Sequence, residues 1–149
     1  MIEAYTDGGC LGNPGPGAWA YVLRLEGRQV KGSGGMDRTT NNRMELTAVI
    51  RALERVLEEA PGGRAAVDLH TDSMYVKNGI TAWIKRWTAN GWLTAAKKPV
   101  KNKDLWVELQ ALAQRLEIRW NWVLGHSGDE LNELCDRMVK DEMRSRSVS

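Results

Sequence analysis

The first nine residues, Met1-Ile-Glu-Ala-Tyr-Thr-Asp-Gly-Gly9, set Ile2, Ala4 and Thr6 against Glu3, Tyr5 and Asp7, the period-two alternation of a strand. Gly8 and Gly9 are expected to stop that strand at once, because glycine accepts backbone turns that other residues resist. Asp7 then stands at the C-terminal end of a strand, where open α/β sheets bind ligands. The prolines and glycines of 10–17 argue for a loop. Residues 18–25 and 28–35, separated by Gly27, read as two further strands of an antiparallel meander. Arg38-Thr-Thr-Asn-Asn-Arg-Met-Glu45 leads into a long helix, in which Leu46, Val49, Ile50, Leu53 and Leu57 recur at helical spacing until Pro61-Gly62-Gly63.

A short strand over 66–71 follows. A strand after a helix implies a βαβ crossover and pairing parallel to the first strand, which brings Asp72 level with Asp7. Trp83 and Trp87, four apart, share a helix face. Leu105, Leu109, Leu112 and Leu116 mark a helix over 103–116, and 117–124 reads as the last strand, with Ile118, Trp120 and Trp122 on one side. Gly125-His-Ser-Gly128 is a loop. A final helix spans 130–143 with Asp136 two turns in, and 144–149 reads as a disordered tail. With no repeat or linker, 1–143 is expected to form one domain.

Composition narrows the class. A chain of 149 residues with 42% hydrophobic and 27% charged content is ordinary for a globular domain. No apolar run approaches the roughly 20 residues of a membrane helix, and the N-terminus carries no export pattern. Two cysteines, Cys10 and Cys135, are too few for a disulfide framework and fit a reducing cytoplasm, with their pairing left open. The net charge of +2 is unevenly spread. Lys77, Lys85, Arg86, Lys97, Lys98, Lys101 and Lys103 occur with no acid between them, which leaves the rest of the chain net acidic. Trp83, Trp87 and Trp92 interleave that basic arm. Tryptophans at helical spacing are more often core, but beside unopposed cations they suit nucleic acid.

Each candidate acid has a plain structural explanation. Asp7 could close a turn, Glu45 could form a capping box with Asn42, and Asp72 could cap the next helix. What sets Asp7, Glu45, Asp72 and Asp136 apart is position: two at adjacent strand ends, two on helices able to pack beside those ends. Carboxylates gathered in one place repel one another unless cations neutralise them. Hard oxygen donors favour Mg²⁺ or Mn²⁺, and so few Cys and His argue against zinc. Paired metals about 4 Å apart can activate water and stabilise a leaving oxygen in phosphodiester hydrolysis. His126, flanked by glycines, could move protons.

Several stretches together resemble type I ribonuclease H of the bacterial kind. They are Tyr5-Thr-Asp-Gly-Gly-Cys-Leu-Gly-Asn-Pro-Gly-Pro-Gly17, Arg38-Thr-Thr-Asn-Asn-Arg-Met-Glu-Leu46, Thr71-Asp-Ser73, Asn78-Gly-Ile-Thr-Ala-Trp83, Lys97-Lys-Pro-Val-Lys-Asn102, and the segment from Trp122 through Gly125-His-Ser-Gly128 to Asn132-Glu-Leu-Cys-Asp136. The resemblance implies an α/β ribonuclease H-like fold, a mixed five-stranded sheet flanked by helices on both faces, with a basic helical protrusion. It implies a monomeric metal-dependent endonuclease that cuts the RNA strand of RNA–DNA hybrids and leaves 3′-hydroxyl and 5′-phosphate ends. Carried across, Asp7, Glu45, Asp72 and Asp136 match the carboxylates that bind two Mg²⁺ ions, with Mn²⁺ as a substitute, and His126 matches the histidine that assists proton transfer or product release. Asn13, Asn41 and Asn42 match readers of the hybrid's minor groove. Arg38, Thr40 and Asn102 resemble a pocket for a DNA-strand phosphate, and Tyr75, Trp83 and Trp87 align with the channel for the DNA strand.

Two departures stand out. Thr88-Ala-Asn-Gly-Trp-Leu93 has no lysine or arginine where the family's arm is often more basic, and Val139 stands three residues after Asp136 where the family usually has a small alanine. Two other readings compete. A transposase, integrase or junction resolvase shares the fold but places its acids differently, and a non-catalytic hybrid-binding module gains nothing from carboxylates facing phosphates.

Overall fold

The computed structural model describes residues 2–62, 64–123 and 130–147. Five strands form one sheet: β1 (Ile2–Cys10), β2 (Gly15–Leu25), β3 (Arg28–Thr39), β4 (Ala66–Thr71) and β5 (Glu117–Trp122), in the order β3-β2-β1-β4-β5. β1 is central, antiparallel to β2 and parallel to β4, and β4 is parallel to β5. The sheet is therefore mixed, as the meander and the crossover predict. The helices are α1 (Asn41–Glu59), α2 (Met74–Asn78), α3 (Ile84–Asn90), α4 (Lys103–Ala113) and α5 (Glu130–Ser147), and a π-helical turn, Gly79–Trp83, joins α2 to α3.

Alternation along the strands divides the core. Ile2, Ala4, Leu23, Val67 and Leu69 meet Leu46, Val49, Ile50 and Leu53 of α1, with Trp106 and Leu109 of α4 completing that layer. On the opposite face Tyr5 and Val22 pack on Leu131 and Cys135 of α5. Val139 of α5 rests on Ala18 and Ala20. The sheet supplies small side chains under it, so the larger residue on α5 is absorbed by close packing.

The structure corrects several boundaries. β1 does not stop at Gly8 and Gly9: Gly8 pairs with Trp19, Gly9 with Ala18 and Cys10 with Gly17. Glycine serves a different purpose at position 8, where an added Cβ would lie 2.4 Å from the backbone of Met44 and 2.6 Å from the Glu45 nitrogen. It allows the first turns of α1 to lie directly against β1. The loop expected over 10–17 is shorter, because β2 starts at Gly15 and accommodates Pro16 at a register shift between Gly15 and Gly17. β3 runs on to Thr39, whereas α4 ends at Ala113, short of Leu116. α5 continues through Ser147 where a tail was expected. Arg146 holds it down, lying against Gly35 and pairing with Asp37 at 3.1 Å. Among the described residues no helix is long and apolar enough to cross a membrane.

The π-helical turn offers a stability test. A Cβ on Gly79 would fall 1.9 Å from the ring of Trp106, which is fully buried. Gly79→Ala is therefore expected to destabilise the protein by about 1–3 kcal/mol through overpacking, read from urea unfolding. An unchanged midpoint would mean that the indole can move aside.

Candidate active site

Four acidic residues are delivered from four elements to one end of the sheet. The parallel ladder pairs Tyr5 with His70, so two residues further along each strand Asp7 and Asp72 stand level, as the sequence predicts. Asp7 lies within β1, opposite Ala20, rather than at the strand's terminus, but it is past the last pair of the β1–β4 ladder. By alternation it shares the face of Tyr5, on which α5 packs.

Glu45 belongs to α1, and its neighbours differ from a capping box. The N-cap of α1 is Thr40, whose hydroxyl accepts from the Arg43 amide. The Glu45 carboxylate accepts instead from Asn41 Nδ2 at 3.0 Å and from Ser73 Oγ at 2.5 Å. Ser73 is also the N-cap of α2, accepting from the Val76 amide, so the capping explanation for Asp72 fails. Asp72 is exposed and free of that duty. Asp136 sits on α5 with Lys140 Nζ 2.9 Å from its Oδ2. His126 lies outside the described residues.

Electrostatics tie the acids together. Burial, then the charges of Asp72 and Asp136, push Asp7 up to about 7; a hydrogen bond from the Gly8 amide pulls the other way, and Glu45 adds to the rise. Glu45 is also raised, chiefly by burial, against the lowering effect of Ser73 and Asn41 and with a contribution from Asp72. Among the described residues no three His, Cys, Asp or Glu side chains stand in position to enclose a metal ion. The donor set nonetheless fits a hard divalent cation: every candidate ligand is a carboxylate oxygen, and the charge they share is costly without a cation. Behind them Cys135 is buried, its thiol bonded to the Tyr5 carbonyl at 3.3 Å and pushed up to about 12 by burial and then by Asp7. Both Cys10 and Cys135 are free.

The predicted substrate residues lie in the loop after β1, at the end of β3, at the start of α1, and along the segment from α2 to the N-cap of α4. Asn13 is exposed and accepts from the Asn41 amide at 3.1 Å, so the loop after β1 is tied to the start of α1. Asn42 and Arg38 are exposed. Asn102 precedes α4 in the left-handed region, at φ 61°. Its side chain is bonded to Arg43 and Tyr75, each at 3.1 Å. Tyr75, Trp83 and Trp87 are half-buried and form a continuous aromatic run, with centroids 5.7 Å apart from Tyr75 to Trp83 and again from Trp83 to Trp87. They line a groove of about 440 Å³ with Arg86, Lys98 and Lys101. Trp87 thus both packs on the core and walls an open surface, while Trp83 lines that surface in ring contact with Tyr75 and Trp87.

Two contributors escaped the sequence reading. Ser73 has no signal beyond its place as a helix cap, and its bond to Glu45 depends on the meeting of α1 with the β4 end. Arg43 stands inside a quoted motif without a role. It forms a bidentate pair with Asp104, at 3.0 and 2.8 Å, across a separation that no local pattern exposes.

The profile of the RNase H family matches residues 1–144. Ribonuclease H of Anaplasma marginale (strain St. Maries) is 53% identical over 99% of this chain and 93% of its own length. The crystal structure of LC9-RNase H1, a type 1 RNase H with the type 2 active-site motif, superposes with a TM-score of 0.83 at 29% identity, covering 97% of this chain and 72% of that one. LC11-RNase H1, solved in complex with an RNA/DNA hybrid, shares the fold with a TM-score of 0.73 at 22% identity over 100% of both chains.

The position of Asp7 makes a prediction that needs no substrate. Its carboxyl binds a proton more tightly in the folded protein than in the unfolded chain. The cost of ionising it is absent below its ordinary 3.8, grows as pH rises and is complete above about 7. In chelator, Asp7→Asn should raise the melting temperature at about pH 8, with the gain shrinking toward about pH 4. A gain that is the same at both ends would mean that ionisation of a buried carboxyl among other acids is not what strains this position.

Proposed function

The chain belongs to the RNase H family and is an enzyme of that family, and from that premise we propose that it hydrolyses the RNA strand of RNA–DNA hybrids, leaving 3′-hydroxyl and 5′-phosphate ends. The observation that carries the reading is the convergence of Asp7, Glu45, Asp72 and Asp136, where burial first and the neighbouring carboxylates second push Asp7 up to about 7. The family is generally dependent on divalent metal. In this chain those four carboxylates would hold two Mg²⁺ ions, or Mn²⁺ in their place. Bound there, such ions supply Lewis acidity and an activated water for phosphodiester hydrolysis.

The chain's own groups do the rest. Asn41 and Ser73 fix the rotamer of Glu45 by donating to both of its oxygens. Lys140 restrains Asp136 until a cation competes for it. His126 would accept or return a proton as the leaving group departs. Asn13, Asn41 and Asn42 would read the minor groove, where the 2′-hydroxyls distinguish RNA from DNA. Arg38, Thr40 and Asn102 would hold a DNA-strand phosphate, and Tyr75, Trp83 and Trp87 would carry that strand along a groove with cations at its rim. We assign the enzyme to the cytoplasm as a monomer, a reading supported by its two free thiols.

Labelled hybrid, duplex RNA and duplex DNA, each incubated with Mg²⁺ or with chelator, test the proposal. Cleavage of the RNA strand of the hybrid alone, and only with metal, is expected, and Asp7→Asn should reduce it to background while retaining the native circular dichroism signal. Hybrid binding without cutting in wild type would identify a binding module instead.

The arm predicts a separate outcome. Replacing Lys85, Arg86, Lys97 and Lys98 with glutamine should weaken hybrid binding and lower the slope of log affinity against log salt by up to roughly 0.9 per lost phosphate contact. Saturating substrate should recover most of kcat, because these side chains contribute uniform binding. An unchanged slope would show that the cations form only a solvated face.

A further inference from the structure

Asn102 is held in an unusual way. It occupies the N-cap position of α4 in the left-handed region, which asparagine tolerates, but its side chain makes no capping bond. The amide is committed elsewhere. Its Oδ1 accepts from Arg43 Nη1 at 3.1 Å, and its Nδ2 donates to the Tyr75 hydroxyl at 3.1 Å. A guanidinium only donates, so Arg43 dictates which end of the amide faces it.

Arg43 is itself fixed. Both of its terminal nitrogens reach Asp104, at 3.0 and 2.8 Å, in the fork geometry that gives arginine–carboxylate pairs their directionality. The consequence extends one bond further. The Tyr75 oxygen accepts from Asn102 and also from Trp106 Nε1 at 3.1 Å, and that indole is fully buried and can only donate. With both lone pairs engaged, the phenol is left to donate its own proton. The second Nδ2 hydrogen of Asn102 is likewise uncommitted among the described residues. Tyr75 lines the apolar groove beside Lys101, so this relay ends in a pair of neutral donors next to a cation.

We propose that Arg43 is a positioning residue: anchored by Asp104, it presets Asn102 and, through it, Tyr75 as a two-donor cradle for one phosphate of the DNA strand. The inference rests on the hybrid-cleaving function proposed above. Arg43 lies between Thr40, the cap of α1, and Glu45. The guanidinium therefore links the strand-gripping amide to the helix that carries a candidate metal ligand, and it sets the register of the hybrid against the carboxylates. Without it the amide can rotate and present its oxygen outward, toward a phosphate that it repels.

The test uses hybrids in which single DNA phosphates are replaced, one at a time, by uncharged methylphosphonate. Wild type should lose about tenfold in affinity at one position, the loss expected for a charge-assisted hydrogen-bonded contact. If no position matters, the assignment of a DNA phosphate to Asn102 fails, and with it part of the function proposed above, whatever Arg43 does. Arg43→Met should raise KM on unmodified hybrid by about tenfold with a smaller change in kcat, and should abolish the penalty at that one position. Arg43→Lys, which keeps the charge but cannot form the fork, should recover only part of either effect. A purely structural role would lower the melting temperature and leave the methylphosphonate penalty intact; that result, or full recovery by lysine, overturns the proposal. If Arg43→Met does not fold, Asp104→Asn leaves the guanidinium present but unanchored, and it should reduce the same penalty.

Discussion

The backbone of α1 lies against β1 at Gly8, and most of what is chemically notable in this molecule depends on that contact. A side chain there would strike the Met44 and Glu45 backbone. Its absence lets Glu45, from a helix on one face of the sheet, reach the same end as Asp7 and Asp72. Asp136 arrives from the other face, on a helix seated over Ala18 and Ala20. Two close approaches, one through a glycine and one through alanines, bring four acids from separate elements within range of each other's charge.

That gathering is unfavourable, and the surrounding structure offsets it only in part. Glu45 receives two hydrogen bonds and Asp136 a lysine, while Asp7 receives one amide and remains largely buried. Burial and the neighbouring carboxylates push Asp7 well above the ordinary carboxylate range. A site arranged in this way spends folding stability to keep charge density where a divalent cation can relieve it. The core on both sides, with Leu46, Val49, Ile50 and Leu53 on one face and Tyr5, Leu131 and Cys135 on the other, is what makes that arrangement sustainable.

Much of this was legible in the sequence, for physical reasons that can be named. The 3.6-residue recurrence of Leu46, Val49, Ile50 and Leu53 marked α1 because one face of that helix is buried, and the helix between two strands implied the parallel pairing that levels Asp7 with Asp72. Local chemistry misled where a residue's partner is remote. Gly8 looked like a turn because a lone sequence cannot show the helix that crowds it, and Glu45 looked like half of a capping box although its partners are Asn41 and Ser73. Over 144–147 the tail reading gave way to helix for the same reason: Arg146 is an ordinary helix residue until Asp37 and Gly35 are beside it. Motifs quoted as a family resemblance pointed to Asp7, Glu45, Asp72 and Asp136, and the charges of the other three act on Asp7 in the fold, but no motif contained the pairing of Arg43 with Asp104.

Grip and chemistry are built from different materials. The groove beside the arm is apolar at its base and cationic at its rim, with Tyr75, Trp83 and Trp87 packed ring against ring. Such a surface has the chemistry to hold a phosphate-bearing strand without reading its sequence, and exposed cations are strongly screened by salt. The carboxylate end is half-buried at Asp7, Glu45 and Asp136 and exposed at Asp72, and its negative charge opposes the same phosphates in the absence of a cation. On the proposed reading a polyanion settles on the arm before the carboxylate end accepts it, and the stretch 88–93, which has no lysine or arginine, limits the charge the arm brings to that contact. On the proposed reading, the cations at the rim supply the salt-dependent hold, while neutral donors and aromatic rings fix position along the groove.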